Sequence, residues 1–224
     1  MKILIFDSGT LINLSMNGML DLLERLKSIW NGKLIITSQV KYEIIDRPLE
    51  VERFELGALR VQSLLFHNVL EMPSSLGVND NEISELTKLF MEQANHSLQV
   101  NDHWIPVVSE AEMSCLALSS ILSKKRYETL IAVDERTTRI LCEKPRELEK
   151  LISARTHQNV KLASTDLSLF ASFRFIRSSE LVYVAFKKGI LGLEGKKALE
   201  AALYATKFKG AAISFEEIEQ LKKL

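Results

Sequence analysis

Hydrophobic and polar positions alternate along this chain in blocks that change period. Residues 2–6 (KILIF) are a short apolar run that stops at Asp7, the pattern of a buried parallel strand. Residues 10–30 place Leu11, Leu14, Leu22, Leu23, Leu26 and Ile29 at helical spacing, closed by Asn31-Gly32. A second apolar run follows at 33–36. A helix then opens with Ser38 as its cap, Val40 and Ile44 sharing a face. Strand then helix, twice, predicts a parallel sheet with crossover helices. Helices are expected at 55–66, 82–95, 110–124, 136–142 and 146–155. Strands are expected at 67–72, 129–133 and 160–163, and a loop at 96–108. Beyond about residue 177, three helices (179–188, 194–206, 214–224) are separated by glycines, and Ser214 to Glu217 fits a capping box.

The predicted fold class is α/β. Residues 1–177 form the main domain, and residues 178–224 a helical C-terminal extension packed on it. Composition narrows the chemistry. Of 224 residues, 46% are hydrophobic and 26% charged, with 29 basic and 29 acidic side chains. This is ordinary globular composition, and it lacks the strongly basic balance of many nucleic-acid binders. Nucleic-acid binding would have to rest on local basic patches. The two cysteines, Cys115 and Cys142, lie in apolar-periodic stretches and read as buried thiols of a reducing, cytoplasmic setting. The opening apolar run is too short for a signal peptide, and no run approaches the roughly 20 residues of a membrane span.

The chemistry suggested is carboxylate chemistry. Asp7 and Asp134 each end a short apolar strand, and strand C-termini form the ligand crevice of open parallel sheets. Glu43 falls in the first turns after the second strand, on the same side. Ser109-Glu110-Ala111-Glu112 opens the clearest amphipathic helix. A capping box gives Glu112 a structural role there and leaves Glu110 free to join Asp7 and Asp134. Clustered carboxylates repel one another, and a hard divalent cation relieves that penalty. Oxygen-only ligation suits Mg²⁺ or Mn²⁺, which activate water for phosphodiester hydrolysis. His67, His96, His103 and His157 have no zinc spacing.

Asp7-Ser8-Gly9-Thr10-Leu11-Ile12-Asn13-Leu14 resembles the opening motif of the PIN-domain ribonuclease family. Glu43 resembles the family's second acid. Glu110-Ala111-Glu112 before Ala117 is similar to the third motif of a branch that writes it Gly-Glu-Ala-Glu, with Ser109 here in place of the glycine. Asp134-Glu135-Arg136 with Arg139 resembles the fourth. Residues 178–224 resemble that branch's helical tail. The resemblance implies a three-layer α/β/α sandwich around a parallel sheet. It implies a Mg²⁺- or Mn²⁺-dependent endoribonuclease, a toxin of a toxin–antitoxin pair or an RNA-processing enzyme. Single-stranded RNA is the expected partner, with an antitoxin or other protein, in a homo-oligomer. Asp7, Glu110 and Asp134 are the expected metal ligands, and Glu43 the fourth catalytic acid. Ser8, Glu112 and Thr137 would support them, and Arg136 would meet RNA phosphate. Two rival readings stand beside this one. A PIN-like fold could serve as a non-catalytic RNA-binding module. The stretch Phe6-Asp7-Ser8-Gly9-Thr10 also resembles the opening of haloacid-dehalogenase-like phosphatases, but Gly9 stands where that chemistry places its second carboxylate.

Overall fold

The first apolar run becomes the middle strand of a sheet. In the computed structural model, which describes residues 1–163 and 167–223, strand β1 (Lys2–Phe6) pairs in parallel with β2 (Gly32–Ile35) on one side. On the other it pairs with β6 (Glu128–Ala132). The short strands β3 (Leu70–Glu71) and β8 (Phe175–Ile176) complete the edges. The order is β3-β2-β1-β6-β8, and every pairing is parallel. Ile3, Leu4, Ile5 and Phe6 are all buried, as a strand covered on both faces requires.

Helices flank this sheet. The expected helix over 10–30 divides into α1 (Ser8–Met16) and α2 (Asp21–Ile29). Gly18 takes a left-handed φ of +67° between them, a conformation that stops a helix. The helix after β2 is capped by Thr37, not Ser38. The Thr37 hydroxyl accepts from the Val40 amide at 3.2 Å, while Ser38 donates to Asp80. That helix, α3 (Ser38–Lys41), runs into a π-helical turn over Tyr42–Asp46 and then α4 (Glu52–Phe66). Helices α5 (Asp80–Asn95) and α6 (Glu110–Lys124) pack on each other. The face of α6 meets the sheet through Cys115, whose Sγ donates to the Phe6 carbonyl, and through Ser119 against Thr129. Helix α1 packs against α4, and α6 lies on β1 and β6. The arrangement is compatible with three layers.

Between α5 and α6, where a loop is expected, the chain forms a hairpin of β4 (Leu98–Val100) and β5 (His103–Trp104). Strand β7 (Lys161–Leu162) pairs antiparallel with β4 in this small second sheet and does not extend the main one. The main sheet's last strand is β8, two residues long, which no periodicity argument can detect. After β6 come α7 (Arg136–Glu143) and α8 (Leu148–Thr156). The C-terminal residues form α9 (Ser178–Lys187), α10 (Lys196–Phe208) and α11 (Phe215–Leu221). Val182, Leu203 and Ile218 belong to the same buried core as the sheet, so the extension completes the core. Among the described residues, no helix is long and apolar enough to cross a membrane.

Candidate carboxylate site

Asp7 caps α1 at the C-terminal end of the middle strand. Its Oδ2 accepts from the Gly9 amide at 3.1 Å. Gly9 makes this approach easy, since a Cβ there would lie 3.3 Å from that oxygen. Asp7 is only 3% exposed, and its other oxygen, Oδ1, has no hydrogen-bond partner among the described residues. Burial pushes its carboxyl up to about 7, and the charges of Glu112 and Glu43 push in the same direction. The Gly9 and Ser8 amides oppose them. The charges acting most strongly on Asp7 therefore come from α6 and from the π-helical turn after α3.

The acid that α6 brings to Asp7 is Glu112. Ser109 and Glu112 do form the expected capping box, the Glu112 amide donating to Ser109 Oγ at 3.2 Å and the Ser109 amide to Glu112 Oε2 at 2.9 Å. This does not remove Glu112 from the site. One carboxylate oxygen serves the cap, while the charge of the group acts on Asp7 and feels that of Glu43. Burial raises the Glu112 carboxyl, with Glu135 and Glu43 adding to the rise. The Thr138 hydroxyl faces it without a hydrogen bond of normal geometry. Glu110, the expected ligand, sits exposed at the first helical position. Two residues are about 200° around a helix, so the two glutamates point to different sides.

Asp134 lies two residues beyond β6 and is 4% exposed. Its Oδ1 accepts from the Ser178 amide at 2.7 Å, and its Oδ2 from Asn13 Nδ2 at 3.1 Å. Burial raises its carboxyl against the lowering effects of Ser178, Asn13 and Arg177. Asn13 is fixed in turn. It donates to the Thr206 carbonyl at 2.9 Å and accepts from Asn17, so its amide nitrogen must face Asp134. Arg177 bonds Glu180, Glu217 and the Ala212 carbonyl. Asp134 is thus the point where the C-terminal extension is tied to α1. Sequence reasoning missed these partners because they come from three distant segments.

The supporting residues are placed as follows. Ser8 is buried at the start of α1. Thr137 donates to Glu135 Oε1 at 2.6 Å, so its hydroxyl serves the α7 cap. Arg136 is exposed at the first position of α7. Arg139 pairs with Glu143 at 3.6 Å. All four histidines are exposed. Cys115 and Cys142 are buried free thiols, pushed up chiefly by burial.

Among the described residues, no three Asp, Glu, His or Cys side chains already stand in a coordination arrangement. Two observations nevertheless suit a hard cation beside Asp7. One is the unpartnered buried oxygen, and the other is an all-oxygen set of mutually repelling acids. No family model, curated protein or solved structure matches the chain.

Proposed function

We propose that this chain is a metal-dependent endoribonuclease with a three-layer, PIN-like fold. The observation that carries the reading is Asp7. It is a buried carboxylate at the C-terminal end of the central strand, with one oxygen unpartnered and with Glu112 and Glu43 as acidic neighbours. One oxygen of Asp7 caps α1; burying the other without a partner costs desolvation, and suits a cation and a scissile phosphate. Asp7 and Glu112, with Glu43, would hold Mg²⁺ or Mn²⁺, which supplies an activated water and charge neutralisation at the phosphodiester. Asp7 presents its free oxygen from a fixed cap. Glu112 is oriented by Ser109. Glu43, half-buried on the π-helical turn, would orient the attacking water. Asp134 keeps lone pairs beyond its two hydrogen bonds and adds negative charge where α1 meets α9.

The occupied oxygens of Asp134 favour a second reading, a PIN-like module that binds RNA without cutting it. A phosphatase reading has no support at Gly9, where a side chain would crowd Asp7. The deciding experiment is cleavage of single-stranded and structured RNAs with Mg²⁺, Mn²⁺ or EDTA, by wild type and by Asp7→Asn. Metal-dependent cutting lost in the variant is the expected result. Binding of RNA without cutting, in every metal, would replace it with the second reading.

A further inference from the structure

A cleft of about 430 Å³ opens beside Glu112, within the size range of sites that hold small ligands. One wall is the segment after β5, where Ile105, Val107 and Val108 face the cleft. That wall is anchored, since the Ile105 amide donates to the Leu98 carbonyl and the Val107 amide to Asn95 Oδ1 at 2.9 Å. The opposite wall is α8, through Ile152, Arg155 and Thr156. Glu112 and Glu135 form the end nearest the acids.

The cleft therefore has an apolar wall, one cation and an acidic end. Arg155 is the single basic side chain in the lining. Its side chain is 71% exposed and, among the described residues, its one ion pair is with Glu135, at a loose 3.7 Å. A guanidinium has five donors, so most of Arg155's capacity is available for a phosphate. From these features we infer that the cleft is a nucleotide subsite of the carboxylate site. It takes an unstacked base against Ile105, Val107 and Val108 and a backbone phosphate on Arg155. Such a subsite selects single strands, because the bases of a duplex stay in the stack and cannot enter. The inference rests on the ribonuclease reading, and it makes Arg155 a substrate-binding residue where sequence pattern favoured Arg136.

The test uses the full chain carrying Asp7→Asn, with fluorescein-labelled ten-nucleotide RNA and fluorescence anisotropy in Mg²⁺ buffer. Adding Arg155→Glu is expected to weaken binding about tenfold or more, and Arg155→Lys to give an intermediate loss. Lys124→Glu, at the far end of α6, should leave binding within about twofold. Arg155 is exposed, so unchanged thermal unfolding will show that the fold is intact. Equal affinities with and without Arg155→Glu would overturn the subsite, as would duplex RNA binding as tightly as the single strand. If wild type still cuts RNA in those cases, the ribonuclease reading survives without the subsite. Absence of any RNA binding and any cutting would overturn both.

Discussion

Asp7 carries the largest electrostatic strain among the candidate acids. Its carboxyl stands at about 7 in the fold against 3.8 for the free side chain. A raised carboxyl means the folded chain holds a proton that the unfolded chain has released. The associated stability is fully present below about pH 4 and is lost as pH rises toward 7. A shift of this size corresponds to about 4 kcal/mol as an upper figure. Asp7→Asn keeps the cap to Gly9 and removes the charge. In EDTA at pH 8 the variant should therefore melt about 5 °C or more above wild type, and close to it at pH 4. Differential scanning calorimetry at the two pH values checks this; a variant less stable at pH 8 contradicts the strain. Added Mg²⁺ or Mn²⁺ should raise the melting temperature of wild type and not of Asp7→Asn. Asn13 makes the complementary case. Asn13→Asp would set a second carboxylate 3.1 Å from Asp134, in a buried site. Urea unfolding should show a loss of about 3 kcal/mol or more.

At the scale of elements, the informative case is the start of α6. Ser109 and Glu112 cap the helix reciprocally, and Glu112 is also the acid nearest in effect to Asp7. Ser109→Ala should cost about 1 kcal/mol as a lost cap. Glu112→Gln should instead lower metal-dependent cleavage through kcat, because it removes the charge that acts on Asp7, whereas Ser109→Ala keeps the backbone amide that holds Glu112 Oε2. Glu110→Gln, at the exposed first position, should leave both stability and cleavage close to wild type. Steady-state kinetics on the two glutamine variants distinguish them, and the opposite order would restore Glu110 as the ligand. The helix N-terminus and its capping box were legible in sequence. The side on which each acid falls was not, because that depends on how α6 lies against β1 and β6.

The whole molecule closes on Asp134. The Ser178 amide, Asn13 and, through the Asp134 carbonyl, the Ala212 amide all converge there. Arg177, 7% exposed, ties the same junction to Glu180 and Glu217. Deleting residues 178–224 would uncover Asp134 and remove Val182, Leu203 and Ile218 from the common core. Such a truncation should lose cooperative unfolding and bind a hydrophobic dye. Arg177→Met, which removes the guanidinium from Glu180 and Glu217 but leaves their capping amides, should cost about 2 kcal/mol. A truncated chain that unfolds cooperatively, near the full chain's temperature, would show that the extension is a separate unit.

The sequence by itself determined the features set by local periodicity. These are the strand ending at Asp7, the strand ending near Asp134, the amphipathic α6 with its capping box, and the three C-terminal helices. Each depends on neighbours a few residues away, where side-chain period and capping chemistry are decisive. Tertiary structure alone decided what depends on distant segments meeting. The two-residue strand β8 exists only because a longer strand is present to pair with it, and β7, expected from its sequence, joins the small second sheet. The charge of Glu112 acts on Asp7 because of how α6 lies against β1 and β6. Asp134 is held by Asn13 and Ser178 because the last helices close over the first. Arg155 reaches the cleft beside the acids because α8 packs opposite the segment after β5. Long-range packing and the desolvation it imposes are properties of the assembled core, and they gave the carboxylates their surroundings.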